Sequence, residues 1–127
     1  LTAKTVGKVR EAWKKERKLY DRIFDQIDSL VLRGVQAIQD NNLVALGELM
    51  NICQGMLNAL QVSTPELEQL VNIARDNGAL GAKLTGGGGG GSIIALSNGD
   101  TEPLVSAIRA AGYHAVPFVL TSEINDS

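Results

Sequence analysis

The sequence contains few of the residues that build disulfides, metal centres or basic recognition surfaces. Among 127 residues there are one cysteine, Cys53, and one histidine, His114, so an internal disulfide and a Cys/His zinc cluster are both excluded. Twelve basic residues stand against 14 acidic ones, and the net charge of −2 provides no overall basic field for nucleic acid. These scarcities exclude several classes of protein and select none.

Long apolar runs are also missing. No run reaches the ~18–20 residues of a membrane span, and no signal peptide precedes the first predicted helix. The single unpaired cysteine fits a reducing, cytoplasmic location. A chain of this length can bury one hydrophobic core, so we expect one globular domain.

The first two thirds of the chain have the three- and four-residue apolar spacing of amphipathic helices. We predict four helices there: one capped by Thr2, one ending at Asp40–Asn42, one with Cys53 on its apolar face, and one capped by Thr64 with Gly78 after its end. The supporting apolar positions are Val6, Val9 and Trp13; Ile23, Ile27, Leu30, Val31 and Ile38; Leu46, Leu49, Met50, Cys53, Leu57 and Leu60; and Leu67, Leu70, Val71 and Ala74.

The last third has the pattern of strands. Residues 82–85 and 92–97 flank a glycine run, and the second segment is a nearly continuous apolar stretch, typical of a buried strand. A turn at Asn98–Asp100 leads into a fifth helix closed by Gly112.

Residues 114–122 predict a final strand, placed at a sheet edge because Pro117 has no N–H donor. The predicted fold class is α+β, with helices packed on a small antiparallel sheet. We find no internal repeat and no linker other than the glycine run.

The six consecutive glycines from Gly86 to Gly91 need an explanation, because each ordered glycine costs about 0.5–1 kcal/mol relative to alanine. A Walker A loop needs a lysine and Ser/Thr after its last glycine, then a helix, whereas Lys83 precedes the run and Ser92 opens a strand. A dinucleotide-binding loop also needs that helix. Two interpretations remain: a flexible Gly/Ser linker, or a loop that another backbone or a ligand oxygen approaches closely.

The residues around the run favour the second interpretation. GAKLTGGGGGGSIIAL (81–96) closely resembles the third motif of the GHMP kinases, G-x-K-L-T-G-A-G-G-G-G and an apolar strand, with Gly87 replacing alanine and Ser92 where cysteine is frequent. Residues 2–10 resemble the T-x-x-x-V-x-x-V-R segment that opens that family's C-terminal domain. Residues 50–71 resemble its N-x-x-Q-x-x-L-x-x-L-G-V-S helix, with Gln61 where glycine is usual. The KLTG sequence favours the mevalonate kinase branch.

The resemblance implies a ferredoxin-like GHMP kinase C-terminal domain over residues 1–127. It also implies transfer of the ATP γ-phosphoryl group, with Mg²⁺, to the hydroxyl of a small molecule, which is mevalonate in that branch. In the family, the ATP loop, the catalytic aspartate and the Mg²⁺ ligands belong to an N-terminal domain whose motifs do not occur in this sequence. We therefore expect no catalytic residue or metal ligand here, and inactivity of the chain alone.

The partners implied are the N-terminal kinase domain and the small-molecule substrate, with a homodimer as a further candidate and no nucleic acid or membrane. Two other functions stay open at this point. One is a different GHMP kinase with another acceptor; the other is a non-catalytic binding or assembly module derived from this domain.

The resemblance also indicates candidate site residues. The glycine loop, which by analogy faces the transferring phosphate and the ATP loop, comprises Thr85, Gly86, Gly87, Gly88, Gly89, Gly90 and Gly91. Asn51 and Gln54, one helical turn apart, and Lys83 are candidates for the substrate cleft. Each has a simpler alternative: Thr85 as an ordinary strand residue, and the other three as solvated side chains.

Three other features have simpler structural explanations. Cys53 lies on the apolar stripe of its helix and is most simply a core residue. His114 has no visible carboxylate or serine partner and is expected at the surface. The basic stretch from Lys8 to Lys18 includes Glu11 and Glu16, which indicates a solvated helix face rather than a binding patch for RNA or membrane.

Overall fold

The chain runs through four helices, a β-hairpin and a fifth helix in the computed structural model, which describes residues 3–86 and 91–119. The helices are α1 (Ala3–Lys15), α2 (Arg17–Gln39), α3 (Leu43–Ala59), α4 (Pro65–Asp76) and α5 (Glu102–Ala110), and the strands are β1 (Gly81–Thr85) and β2 (Ser92–Leu96). The order of elements confirms the predicted α+β class. The predicted cap Thr2 lies outside the described residues.

The start of α4 shows how local chemistry sets a helix boundary. The Thr64 side chain accepts a hydrogen bond from the Leu67 N–H at 3.1 Å, and Pro65 occupies the first turn, where its missing N–H costs nothing. Asn42 caps α3 in the same way, by accepting from the Ala45 N–H at 3.1 Å. Beyond α4, Gly78 has a φ of 101°, a conformation that favours glycine. The predicted start and stop of α4 are confirmed.

β1 and β2 pair antiparallel, in a register that runs from Gly81 opposite Leu96 to Thr85 opposite Ser92. The glycine run therefore joins two strands that are hydrogen-bonded to each other. A flexible linker between independent units is thereby excluded. The element after the run is a strand, as predicted, so the Walker A and dinucleotide-binding interpretations fail in the structure as well.

The main core lies where α4, α5 and β1 meet, and Val71 and Ala74 on α4 are almost completely buried. Its buried members are Leu60, Val62, Leu67, Leu70, Val71, Ala74, Ala82, Leu84, Leu104 and Ile108. A second cluster joins α2 to α3 and contains Leu30, Ala37, Leu49 and Cys53. The first cluster packs α4 and α5 against β1, and the second packs α2 against α3.

The prediction of a buried second strand is wrong. Ser92 is exposed and residues 93–96 are half-buried. The described sheet has the order β1-β2, so β2 has one strand neighbour, and α4 packs against the hairpin. The apolar run of β2 is therefore only partly covered by the described residues.

The prediction of a final strand is wrong for residues 114–119, which have no regular structure. Val116 and Phe118 in this segment are 82% and 64% exposed. Pro117 supplies no N–H and restricts the residue before it, which weakens strand pairing here. Residues 120–122 of the predicted strand lie outside the described residues.

Periodicity also placed more residues on apolar faces than the fold buries. Val31 and Ile38 on α2 are 57% and 53% exposed, whereas the buried residues of that helix are Leu30, Gly34 and Ala37.

Across residues 3–86 and 91–119, no helix combines the length and apolar character needed to cross a bilayer.

Candidate functional site

The two ends of the glycine run sit in different surroundings. Thr85 and Ser92, the last strand pair before the run, are joined by a hydrogen bond of 2.8 Å between their hydroxyl oxygens. Among the described residues, no heavy atom lies within 4 Å of a Cβ added at Gly86. At Gly91, φ is +82° and a Cβ would lie 3.2 Å from the Leu67 side chain. The described residues therefore leave room for a Cβ at one end of the run, whereas the other end rests on α4. Gly87 to Gly90 lie outside the described residues.

A close backbone approach between α3 and β1 positions the hairpin. A Cβ on Gly47 would lie 2.4 Å from the carbonyl oxygen of Leu80, and a Cβ on Gly81 would lie 2.2 Å from the carbonyl oxygen of Gly47. Real side chains do not tolerate such distances, so both positions require glycine. Because α3 lies so near, polar side chains one and two turns further along it reach the backbone of β1.

Asn51 makes the first of these contacts. Its Oδ1 accepts from the Ala82 N–H at 3.0 Å and from Nε of Arg75 at 2.8 Å, and its Nδ2 donates to the carbonyl oxygen of Leu80 at 3.4 Å. Arg75 lies in the last turn of α4. A single amide thus connects α3, α4 and the first half of β1.

Gln54 makes the second contact, closer to the glycine run. Its Oε1 accepts from the Leu84 N–H at 2.7 Å, and its Nε2 donates to Glu68 Oε2 and, at 3.2 Å, to Ser63 Oγ. Ser63 Oγ in turn donates to Glu68 Oε2 at 2.8 Å. Gln54 is 2% exposed. Every polar atom of this buried amide has a protein partner, as a buried amide requires.

These contacts show that the alternative of solvated side chains is wrong for Asn51 and Gln54, which bind the backbone of β1. Their assignment to a substrate cleft stays a prediction. Lys83 is half-buried, and its Nζ donates to the carbonyl oxygen of Leu84 at 2.9 Å. The structure thus places all three around β1, with Asn51 and Gln54 side by side on α3.

Sequence reasoning assigned no site role to Ser63, Leu67 or Glu68, although Ser63 and Glu68 bind Gln54 and Leu67 lies beside Gly91. A signal was available at Gln54. It lies four residues after Met50 and three before Leu57, so the helical spacing itself puts it on the apolar face. A glutamine on that face needs buried partners.

The remaining residues singled out in the sequence are where they were predicted. Cys53 is buried and free, so its prediction as a core residue is confirmed. His114 is exposed, as predicted. The basic stretch is exposed as well, with an ion pair of 3.5 Å between Lys14 and Glu11 on the surface of α1.

At its described ends, the glycine run is flanked by the hydroxyls of Thr85 and Ser92 and by the half-buried Lys83 ammonium. Within residues 3–86 and 91–119, no three His, Cys, Asp or Glu side chains cluster closely enough to hold a metal ion. We therefore assign no metal ligand in that part of the chain. The glycines of the run carry no side chain, and backbone of that kind suits the close approach of a negatively charged group.

Comparison with known proteins decides the family. Residues 35–114 match the family described as GHMP kinases C terminal. The chain belongs to this family. The resemblance inferred from the glycine motif is thereby confirmed, and it places the hairpin in a C-terminal domain of the GHMP kinases.

Curated relatives of this chain include mevalonate kinases. That of Methanothermobacter thermautotrophicus is 42% identical over 108 residues, which is 85% of this chain and 36% of the relative. That of Pyrococcus abyssi is 40% identical over 116 residues, which is 87% of this chain and 35% of the relative. The chain thus spans about a third of the length of the relatives it matches.

Solved structures agree in fold. L. major mevalonate kinase in complex with R-mevalonate superposes with a TM-score of 0.80 at 34% identity, over 87% of this chain and 34% of that one. Methanococcus jannaschii mevalonate kinase gives a TM-score of 0.66 at 35% identity, over 87% and 32% of the two chains.

Proposed function

We propose that this chain is the C-terminal domain of a mevalonate kinase, which transfers the γ-phosphoryl group of ATP to the hydroxyl of mevalonate in isoprenoid precursor synthesis. The observation that carries the proposal is the 42% identity to a mevalonate kinase across 85% of the chain. The KLTG sequence that leads into the glycine run supports the same acceptor.

In this proposal the chain contributes position rather than acid–base chemistry. The glycine run brings backbone without side chains to the transferring phosphate, and no heavy atom of the described residues lies within 4 Å of a Cβ at Gly86. The catalytic aspartate, the ATP loop and the Mg²⁺ ligands belong to the N-terminal kinase domain, the partner of this chain. Bound Mg²⁺ neutralises charge on the phosphates. The chain alone is inactive, and the enzyme works in the cytoplasm.

A segment replacement tests the proposal. In the M. thermautotrophicus mevalonate kinase, the matching 108 residues are replaced by this chain, and ADP release is measured with mevalonate, galactose or homoserine as acceptor. We refer to this protein as the hybrid kinase. We expect ADP release that depends on mevalonate, and none from the 127-residue chain alone.

Two outcomes would overturn the proposal. A hybrid kinase that unfolds cooperatively but releases no ADP with mevalonate, while the parent enzyme does, would contradict the assignment of function. Preferential release with galactose or homoserine would instead assign the chain to another GHMP kinase.

A further inference from the structure

The two ends of the glycine run are held by one small region, formed by the segment that leads into α4 and the first turns of α4 itself. On the β1 side, Ser63 and Glu68 accept hydrogen bonds from the Gln54 amide. The Gln54 carbonyl oxygen in turn accepts from the Leu84 N–H, two residues before Gly86. On the β2 side, the Leu67 side chain lies 3.2 Å from the position that a Cβ of Gly91 would take. A shift of this region relative to the hairpin would therefore move both ends of the run.

Gln54 acts here in place of a neighbouring strand. Alternate N–H groups of a strand point toward the same edge, and those of Ala82 and Leu84 are both taken by amides of α3. Gln54 supplies the carbonyl for the second of them. It thereby fixes the backbone of β1 immediately before the chain enters the run.

The orientation of the Gln54 amide is dictated by its partners. The Leu84 N–H can only donate, and an ionised Glu68 carboxylate can only accept, so Oε1 must face Leu84 and Nε2 must face Glu68. Ser63 donates to Glu68 and accepts from Gln54, which closes the triangle. Such a fully bonded buried group has one arrangement and resists displacement.

We propose that Gln54, oriented by Glu68 and Ser63, is a positioning residue for phosphoryl transfer. It sets the position of the β1 backbone from which the glycine run begins, and Gln54 itself does not touch substrate. The proposal rests on the function proposed above. Phosphoryl transfer depends on placement, and a misplacement of 1 Å costs about 100-fold in rate. In the proposed function the run faces the transferring phosphate, so its displacement should lower kcat more than it raises the KM for mevalonate.

An exchange of the two side chains tests this in the hybrid kinase. Gln54→Glu brings a second carboxylate against Glu68, and we expect kcat to fall by about 10- to 100-fold with KM for mevalonate within about threefold. Glu68→Gln keeps an acceptor toward Gln54 and Ser63 but adds a donor, so the amide orientation is no longer dictated and kcat should fall by about threefold, less than in Gln54→Glu. Combining both substitutions again places an amide N–H donor at one of the two positions opposite a carboxylate acceptor at the other. The kcat of this double variant should recover to within about fivefold of the unsubstituted hybrid.

The matched control is Gln69→Glu, which adds the same charge at an exposed position on α4, outside the triangle. Its kcat should be unchanged. Gln54→Glu with full kcat would overturn the proposal, and so would a double variant as slow as the single one. Should Gln54→Glu fail to fold, Ser63→Ala removes only the hydroxyl; it should lower kcat by about threefold at constant KM, and an unchanged kcat would overturn the proposal.

Failure of the proposed function is recognised separately, since it appears in the unsubstituted hybrid. In that case amide hydrogen exchange at Leu84 in the 127-residue chain decides the geometry. We expect Gln54→Glu to accelerate exchange at Leu84 at least about tenfold and the double variant to restore protection. Equal exchange in all three proteins would overturn the proposal.

Discussion

Replacing Gly47 by alanine tests the backbone contact on which the position of the hairpin depends. The new Cβ would lie 2.4 Å from the carbonyl oxygen of Leu80, and this atom belongs to the backbone rather than to a flexible side chain. α3 and β1 must therefore separate. Separation lengthens the Asn51–Ala82 and Gln54–Leu84 hydrogen bonds, which are 3.0 and 2.7 Å in the structure.

The magnitude follows from two opposing effects. Overpacking against a rigid backbone costs about 3 kcal/mol, the upper end of the usual range. Alanine in a helix is favoured over glycine by about 1 kcal/mol. The free energy of unfolding should therefore fall by about 2 kcal/mol, a roughly 30-fold change in the unfolding equilibrium. With a urea m-value of about 2 kcal/mol/M, the midpoint of unfolding falls by about 1 M.

The assay is urea unfolding of the 127-residue chain, followed by circular dichroism. Gly55→Ala is the matched control, because Gly55 lies on the same helix and a Cβ there would meet no heavy atom within 4 Å. That variant should be more stable than the original chain by about 0.5–1 kcal/mol. If Gly47→Ala were as stable as Gly55→Ala, the described contact between α3 and β1 would be wrong.

Three further predictions use the same chain. Thr64→Ala removes the cap on the Leu67 N–H and should lower the free energy of unfolding by about 1 kcal/mol, whereas Thr101→Ala, whose side chain makes no capping bond, should change it by less than about 0.5 kcal/mol. Gly91→Ala should cost about 1–2 kcal/mol in the same urea assay because φ is +82°; an unchanged midpoint would contradict that conformation. Cys53 is buried, so its reaction with a thiol reagent should be slow and accelerate only as urea unfolds the chain; rapid labelling without urea would contradict its burial.

Features set by neighbouring residues were predictable from the sequence. The start of α4 follows from Thr64 and Pro65, and the turn after it follows from Gly78, because caps and turns depend on residues within a few positions. The glycine motif and its flanks were sufficient to indicate the family, which the match over residues 35–114 confirms.

Features set by distant partners were not predictable in the same way. Gly47 and Gly81 require each other, yet nothing near either glycine in the sequence shows that α3 and β1 meet there. The partial exposure of β2 and the absence of a strand at 114–119 depend on which elements pack beside these segments. The apolar residues of a segment show only that it could be buried, not that another element covers it. The partners of Gln54 became visible only when Ser63 and Glu68 were brought beside it.

The most direct test of the central claim is the mevalonate-dependent ADP release of the hybrid kinase carrying Gly86→Val. A Cβ at Gly86 meets no heavy atom of the described chain within 4 Å, so the hybrid should still fold and unfold cooperatively in urea. If the run lies against the transferring phosphate, kcat should nevertheless fall by at least about tenfold, because the valine side chain occupies the space of the approaching group. Full activity of a folded Gly86→Val hybrid would contradict the claim that the glycines allow that approach.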